Sequence, residues 1–338
     1  INRKPREQAS PQVMSANDIY SQSKEQLLDR SGRSYKAFRD GLDARYSTVW
    51  RDIGLAWMCI IGLQAGLVLI EFHSSTAMVF ATLAGGLLAG FFIANLMLFL
   101  HEAAHFNIHP DKTWNDRLCN TFLSGIIGID VASYRIVHWQ HHRELGTPED
   151  SERSYFDAIT LRYIVESLLL IRALTVVLQR REVTAQKPRD AGANSSGVPV
   201  AVLGLAANIV YLAVLASLGE YIAAAAWVLA VIVFYPAFGA IRQALEHRSL
   251  DARSDVDYSQ VPQGVTNRMF HRGPFSFFFG GAGFNRHLLH HFDPSVSYTR
   301  LPDVEAFLMQ TEYAALIEDS YTSYNKVFRQ LFQWRAAD

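Results

Sequence analysis

Residues 77–105, AMVFATLAGGLLAGFFIANLMLFLHEAAH, join a long apolar segment directly to two histidines. The apolar part, Ala77–Leu100, has no charged residue, and it is long enough to cross the hydrocarbon core of a bilayer, about 30 Å, as a helix. At about 1.5 Å per residue, the whole stretch reaches about 43 Å when helical. We therefore expect this helix to continue past the membrane surface and to carry His101 and His105 there.

Three further segments are apolar over a comparable length: 53–70, 198–218 and 221–240. Short links without Lys or Arg join the four segments into two pairs, and each pair is expected to form a helical hairpin through the membrane. The predicted fold is an all-α integral membrane protein with four transmembrane helices in two hairpins and a cytoplasmic helical cap. The competing interpretation, buried helices of a large soluble core, fits poorly with glycine-rich apolar runs of this length.

Basic residues are sharply partitioned along the chain. All 31 Lys and Arg lie in residues 1–52, 101–197 and 241–338, and none lies in residues 53–100 or 198–240. Because positive charge is retained on the cytoplasmic side, both termini and the loop 101–197 are predicted to be cytoplasmic, in the plasma or inner membrane if the protein is bacterial. The formal net charge of −1 gives no support for nucleic-acid binding. The two cysteines form no metal-binding or disulfide pattern.

These boundaries divide the chain into three regions. Residues 1–52 are expected to be a cytoplasmic N-terminal region in which Tyr35–Arg51 forms one interfacial helix. Residues 53–240 hold the two hairpins, and residues 241–338 form a cytoplasmic C-terminal cap. The fourth transmembrane helix is expected to continue beyond the membrane as far as His247.

Nine of the twelve histidines follow a regular pattern. They are His101 and His105 in HEAAH, His138, His141 and His142 in HWQHH, His247 after the fourth span, and His287, His290 and His291 in HLLHH. In a helix, positions i, i+3 and i+4 share one face, so each HxxHH motif can direct three imidazoles towards one point. Neutral imidazole suits iron and other mid-row transition metals, and nine imidazoles are too many for one ion. The pattern predicts two metal ions in one pocket of the cap.

HEAAH alone also matches the HExxH motif of zinc proteases, in which the glutamate is the general base. A zinc site uses three or four protein ligands and would leave most of the histidines unused. A zinc-dependent membrane hydrolase is therefore a distant alternative. His247 is a single histidine, but it ends a membrane helix on the same side as the other eight and is included as a ligand for that reason. His73, His109 and His271 lie outside the pattern and are not predicted to bind metal.

Four polar residues are predicted to support the metal-binding histidines without binding the metal. They are Asp150 in the acid-rich turn after HWQHH, Asn285 just before HLLHH, and Arg242 and Glu246 in the turns before His247. Metal-bound imidazoles usually donate their second N–H to a carboxylate or carbonyl, which Asp150 can supply. For Asp150 and Asn285, a simple solvated loop position is equally compatible with the sequence.

Four motifs follow one another among the two hairpins: HEAAH at 101–105, HWQHH at 138–142, EHR at 246–248 and FNRHLLHH at 284–291. In this order they resemble the membrane fatty-acid desaturase and hydroxylase superfamily, over about residues 50–300. The resemblance implies a four-helix transmembrane bundle whose cap holds two iron ions (Fe²⁺/Fe³⁺) through all nine histidines. The three-residue gap in HEAAH is closer to bacterial-type desaturases and to hydroxylases than to many acyl-CoA desaturases.

The implied chemistry is oxidation of a hydrocarbon chain. Acid–base groups cannot break an unactivated C–H bond, so the oxidising power would come from the metal and O₂. Loss of two adjacent hydrogens gives a double bond, and insertion of oxygen gives an alcohol. The leading hypothesis is a desaturase of an aliphatic chain such as a fatty acyl group, and the alternative is a hydroxylase of a lipid, alkane or terpenoid. Electrons are expected from a separate ferredoxin or small haem protein that docks on the cap.

Overall fold

The computed structural model describes residues 24, 26–186, 200–261 and 266–333. Within these ranges, four helices are long and apolar enough to cross a membrane: Tyr46–Leu69, Ser75–Ala104, Val200–Ser217 and Tyr221–His247. They correspond in order to the four predicted segments, and the mostly helical membrane fold is confirmed. Residues 198 and 199, the predicted start of the third span, lie outside the described residues.

Shorter helices and strands surround these spans. In chain order, the helices are α1 (Tyr35–Arg39), α2 (Tyr46–Leu69), α3 (Ser75–Leu96), α4 (Leu98–Ala104), α5 (Lys112–Phe122), α6 (Val131–Glu144), α7 (Leu161–Leu168), α8 (Ile171–Gln186), α9 (Val200–Ser217), α10 (Tyr221–Val228), α11 (Tyr235–His247), α12 (Pro274–Phe279), α13 (His287–Phe292), α14 (Leu301–Leu308), α15 (Ala314–Asp319) and α16 (Tyr324–Leu331). The strands are β1 (Ile159–Thr160), β2 (Met269–Phe270), β3 (Tyr321–Thr322) and β4 (Phe332–Gln333).

The interfacial helix predicted over Tyr35–Arg51 is not continuous, and that prediction was wrong. α1 ends at Arg39, and α2 begins at Tyr46. Gly41 lies in the break, and glycine in a helix interior costs about 1 kcal/mol relative to alanine. The polar stretch before the first apolar segment therefore divides into a separate turn of helix and the start of the first span.

The early start of the first span brings a charged residue against the cap. Asp52 lies in α2 and is buried, and its carboxylate accepts a hydrogen bond from the Tyr298 hydroxyl at 2.8 Å. Arg51 pairs with the same carboxylate at 2.7 Å. The first turns of α2 thus lie beneath the cap, and the apolar part of the helix follows them.

Glycines let the second span pack closely against the fourth. A methyl group built on Gly90 would lie 2.5 Å from Phe234 Cβ and 3.1 Å from the Ala230 carbonyl oxygen, and one built on Gly86 would lie 2.9 Å from Leu229 Cβ. Small residues permit this close approach between membrane helices. The two spans that end in His101 and His247 are therefore held together along their length.

Replacing Gly90 by alanine is expected to destabilise the protein by about 1–3 kcal/mol, because the added methyl group overpacks the contact with Phe234. The matched control is Gly62→Ala in the first span, where an added methyl group meets nothing within 4 Å. This control should leave the stability unchanged or slightly raised, since alanine is the better helix former. Thermal unfolding of the two variants in detergent checks the difference, and equal unfolding temperatures would contradict the packing.

The fourth span changes its helical pitch at a π-helical segment, Leu229–Phe234, between α10 and α11. Pro236 follows this segment and has no N–H with which to bond the Ile232 carbonyl. A π segment of this kind can absorb the missing bond and is frequent near functional sites. The expected helix does reach His247, but it is not regular throughout.

The cap joins its short helices through two parallel ladders of two residue pairs each, β1 with β4 and β2 with β3. An isolated bridge between Met269 and Arg286 fixes the chain immediately before α13. Leu288 and Phe292 of α13 are buried in the cap core, where the Tyr35 ring meets the Phe292 ring edge-on with centroids 5.0 Å apart. The apolar side of α13 is thus fixed in the cap, leaving its histidines to face the spans.

Candidate metal centre

Four helices bring the nine histidines to one place. α4 carries the first motif, α6 carries HWQHH, α11 ends at its single histidine, and α13 begins with HLLHH. All nine imidazoles are buried or half-buried. HWQHH and HLLHH meet directly, because His290 Nε2 lies 3.1 Å from His142 Nε2.

Five imidazoles converge in a first group. Their donor atoms all lie within 4.8 Å of one another, and the group comprises His101, His105, His138, His142 and His290. His138 Nε2 is 2.9 Å from the Nε2 atoms of both His105 and His142. Residues from α4, α6 and α13 therefore surround a common point.

A second group lies beside the first. It contains His141, His247 and His291, whose donor atoms also lie within 4.8 Å of one another. His287 adjoins them, because its Nε2 is 2.8 Å from His247 Nε2 and 3.2 Å from His291 Nε2. The ring centroids of His142 and His291 are only 4.5 Å apart. The arrangement can hold two metal ions side by side.

Each HxxHH motif is divided between the two groups. In HWQHH, the outer two histidines belong to the first group and the middle one, His141, to the second. In HLLHH the middle one, His290, belongs to the first group, and the outer two adjoin the second. This arrangement corrects the expectation that the three imidazoles of one motif all face one point. Successive helical residues turn by about 100°, so positions i+3 and i+4 lie on opposite sides of position i.

The spacing of the facing nitrogens fits metal ligation. Two nitrogens bound to one ion at about 2.1 Å and at right angles lie about 3 Å apart, and the Nε2 pairs observed lie 2.8–3.2 Å apart. Both ring nitrogens of His101 are buried without a hydrogen-bond partner among the described residues, which is costly unless another group satisfies them. These observations favour metal ions as the missing partners.

Burial keeps the outer imidazoles in the form that binds metal. It lowers the pKa of His142 well below the ordinary value, and the neighbouring imidazoles of His138 and His290 lower it further. Burial likewise lowers the pKa of His291, with the imidazole of His142 as the next cause. Desolvation disfavours the charged form of histidine, so both rings remain neutral and keep a lone pair for a metal ion.

Arg135 connects the helices of the first two motifs. It lies on α6 and donates to the carbonyls of Ala104 (2.9 Å) and Ala103 (3.1 Å) at the end of α4. Asp116 of α5 holds the guanidinium, with contacts of 2.6 and 3.1 Å. Carbonyls at a helix C-terminus have no partner within the helix, so this arginine both satisfies them and fixes α4 relative to α6. Sequence reasoning did not identify it.

A second buried arginine has the same function at the end of the fourth span. Arg268 donates to the carbonyl of Leu245 at 2.9 Å and to that of Arg248 at 2.7 Å. These carbonyls lie just before and just after His247, where α11 ends. The position of His247 is therefore fixed from both sides, although nothing in the local sequence around Arg268 indicates this contact.

Asp150 of the acid-rich turn lies against the second group, where it contacts His141. It is completely buried, and both carboxylate oxygens lie 3.0 Å from His141 Nδ1. Its oxygens also accept hydrogen bonds from the Tyr155 hydroxyl and, at 2.8 Å, from the Glu152 N–H. The alternative of a solvated loop charge is excluded by this burial. The carboxylate orients the His141 ring so that its Nε2 faces the group.

Arg242 and Glu246 form an ion pair one helical turn apart, with 3.3 Å between Arg242 Nε and Glu246 Oε1. The Arg242 guanidinium also lies over the Phe284 ring, 4.5 Å from its centroid. Phe284 in turn contacts His101 and stacks on His287, with centroid distances of 4.5 and 5.0 Å. Arg242 is therefore connected to both groups through the ring of Phe284. Phe284 was not among the residues predicted from the sequence.

Asn285 is not brought into contact with the histidines in the described part of the chain. Its hydrogen bonds are made by its backbone: its N–H donates to the Gly280 carbonyl at 2.9 Å, and its carbonyl accepts from the Phe270 N–H at 2.8 Å. Asn285 shapes the turn before α13, and its predicted support of an imidazole is not seen. The position of Asn285 next to HLLHH did not predict its contacts, because the turn sets the direction of the backbone and does not set the direction of the side chain.

Two glutamates also lie near the imidazoles: Glu152, which was not predicted to do so, and Glu102, for which a helix-surface position or a place beside the ligands was expected rather than the role of a base. Glu152 Oε1 lies 3.8 Å from His138 Nδ1, and Gln243 donates to its other oxygen at 2.8 Å. Glu102 of HEAAH is buried and lies 3.9 Å from His101 Nδ1. Carboxylates therefore lie near three of the imidazoles, which partly offsets the charge that metal ions would bring. For Glu152, the acid-rich turn at residues 149–152 is the feature of the sequence that could have indicated its contact with an imidazole.

The remaining three histidines lie apart from both groups, as expected. His73 is exposed in the link of the first hairpin. His109 Nδ1 accepts a hydrogen bond from the Asp111 N–H at 3.0 Å. His271 stacks on Tyr321, with ring centroids 5.3 Å apart.

Comparison with known proteins agrees with this geometry. No curated protein matches the chain. The family model described as fatty acid desaturase matches residues 78–325. The matched span contains all nine clustered histidines and three of the four candidate membrane spans in full or nearly in full. The chain therefore belongs to the fatty acid desaturase family, and it is a membrane oxidoreductase of the desaturase or hydroxylase type.

Proposed function

We propose that the protein is an O₂-dependent di-iron desaturase that introduces a double bond into an aliphatic chain, most simply a fatty acyl group. The observation that carries this proposal is the pair of adjacent histidine groups, five imidazoles and four, with the rings of His142 and His291 4.5 Å apart. Ions held by two adjacent groups could act together on one O₂ molecule. All-nitrogen donor sets suit iron better than magnesium or calcium.

In this proposal, the bound iron would supply the oxidising power with O₂, and the chain's own residues supply position and environment. The nine histidines would hold the ions. Asp150 fixes the ring orientation of His141, and Arg135 and Arg268 fix the helix ends that carry the ligands. Burial lowers the pKa of His142 and His291, so protonation does not compete with metal binding at these two rings.

An apolar pocket lies where an alkyl chain could approach. It lies between the second and fourth spans, and it is lined by Phe91, Ala94, Asn95, Phe238, Arg242, Phe278 and Phe279. The pocket has no room for even a water molecule, so the phenylalanine side chains must rotate to admit a chain. Arg242, which lines this pocket, lies over the ring of Phe284, and Phe284 contacts both histidine groups.

The decisive experiment analyses metal and product together. The protein is purified anaerobically with iron, reconstituted with ferredoxin, its reductase and O₂, and supplied with fatty acyl lipids. A product two mass units lighter than the substrate supports the desaturase. A product sixteen mass units heavier supports the alternative, a hydroxylase of a lipid, alkane or terpenoid. One zinc ion per chain without O₂ consumption would instead indicate the distant alternative, a zinc-dependent membrane hydrolase.

The proposal includes a topology and a source of electrons. Both termini and the metal centre are placed on the cytoplasmic side, because Lys and Arg are confined to the segments expected there. Two electrons per turnover would come from a separate ferredoxin or small haem protein. Reporter fusions after residues 73 and 338 test the topology: the fusion at 73 should report the outer side and the fusion at 338 the cytoplasm.

A further inference from the structure

We propose that Trp139 and the cations around it form the docking surface through which an acidic one-electron carrier protein reduces the metal centre. This inference rests on the proposed function, since it requires a redox-active metal. It names the surface and the chemistry of the partner, which the histidine pattern alone does not give.

Trp139 is a partly exposed aromatic side chain that touches the centre. Its ring centroid lies 4.9 Å from that of His105 and 5.7 Å from that of His142. Both imidazoles belong to the first group. One side chain thus connects the protein surface to two proposed ligands without any intervening residue.

Trp139 contacts other imidazoles than Phe284, the aromatic side chain that lies against Arg242 of the apolar pocket. Phe284 contacts His101, His287 and His290, whereas Trp139 contacts two other imidazoles. Electrons and substrate can therefore reach the centre by different routes. A carrier bound at Trp139 need not obstruct the pocket between the spans.

Two basic residues share a helix face with Trp139. Arg135 and Arg143 lie four residues before and after it on α6, so the three residues share one face of the helix. Lys112 and Arg135 lie over the Phe106 ring, 4.9 and 3.8 Å from its centroid. Arg143 and Lys112 are exposed, while Arg135 is paired with Asp116. An aromatic centre rimmed by cations favours an acidic partner.

The electron balance is simple. Each reduced carrier docks, loses one electron and leaves oxidised, while one metal ion of the centre gains that electron. Two carriers in succession supply the two electrons that one turnover needs. The Trp139 ring serves as the path between the carrier and the imidazoles, and it is neither oxidised nor reduced overall.

The test uses the full-length protein in detergent, loaded with iron and oxidised to the ferric state, and a reduced plant-type [2Fe–2S] ferredoxin, a small acidic protein, as the probe. Affinity is measured by thermophoresis at several salt concentrations. Electron transfer is measured without substrate or O₂, as the rate of ferredoxin oxidation in a stopped-flow instrument. Trp139→Ala should weaken binding roughly thirtyfold, as expected for a tryptophan at the centre of an interface. Trp139→Phe should retain most of it.

Charge reversal at an exposed position gives an independent variant that does not touch a ligand. Arg143→Glu should slow association about tenfold at low salt and reduce its dependence on salt. Arg329→Glu on α16, also exposed, is the matched control and should bind as the wild type. Iron content and the rate of reduction by dithionite should be unchanged in Arg143→Glu, because a small reductant needs no docking surface.

The outcomes separate this proposal from the proposed function. If neither ferredoxin nor dithionite reduces the wild-type protein, the di-iron function fails and this inference with it. If dithionite reduces the protein but ferredoxin does not bind, the acidic carrier is excluded. If ferredoxin binds and reduces Trp139→Ala and Arg143→Glu as it does the wild type, the docking surface lies elsewhere and the inference is overturned.

Discussion

Replacing His142 by alanine is expected to abolish product formation and to lower the metal content, while the protein still inserts into the membrane. His142 Nε2 lies 2.9 Å from His138 Nε2 and 3.1 Å from His290 Nε2, and its ring is the neighbour of His291 across the two groups. Its loss removes one donor from the first group at the point where the groups meet. Product is measured by mass spectrometry and metal by elemental analysis of the purified protein.

Two further variants test whether that result comes from the loss of a metal ligand. His290→Ala should have the same effect, since it removes a donor of the same group from the opposite helix. His73→Ala should behave as the wild type, because His73 is exposed in the link of the first hairpin. Full activity in either His142→Ala or His290→Ala would show that the ligand assignment is wrong.

Replacing Asp150 by asparagine is expected to lower the affinity of the second group for metal by about 10–100-fold, the usual effect of losing a carboxylate that orients a ligating imidazole. The amide can still accept one hydrogen bond from His141 but carries no charge. Its N–H₂ group replaces one of the two oxygens and so opposes either the Tyr155 hydroxyl, which donates to Oδ2, or the Glu152 N–H, which donates to Oδ1. Metal titration in a chelator-buffered solution measures the change.

The neighbouring residue provides the control. Glu149 is exposed and adjacent in sequence, so Glu149→Gln removes a charge from the same turn without touching an imidazole. This variant should keep the wild-type affinity. Equal losses in both variants would attribute the effect to the general charge of the turn. No loss in Asp150→Asn would mean that the contact with His141 does not tune the metal.

Features that depend on short-range pattern could be predicted from the sequence. The four spans follow from uninterrupted apolar length. The nine histidines were selected because helical spacing is visible in the chain itself, and His247 because it ends a span on the same side as the others. Asp150 was considered because it lies in an acid-rich turn close after HWQHH, but its burial against His141 depends on the fold.

Features that depend on the rotation of one helix against another could not be predicted. The division of HWQHH between two groups requires the angle at which α6 faces α13, which no local pattern specifies. The contacts of Trp139 and Phe284 with the histidines depend on the same helix angles, so they could not be predicted either. Arg135 and Arg268 donate hydrogen bonds to backbone carbonyls of distant helices. Every residue has such a carbonyl, so no sequence pattern indicates which ones accept these bonds. Asn285 failed because adjacency in sequence does not fix the direction of a side chain.

The interleaving of the two HxxHH motifs has a consequence for how the centre is assembled. Because α6 and α13 each contribute to both groups, an ion seated in one group would tether the same two helices that complete the other. Metal uptake should therefore be cooperative, with half-loaded protein scarce at equilibrium. Loss of the ligands on either helix should therefore weaken metal binding in both groups.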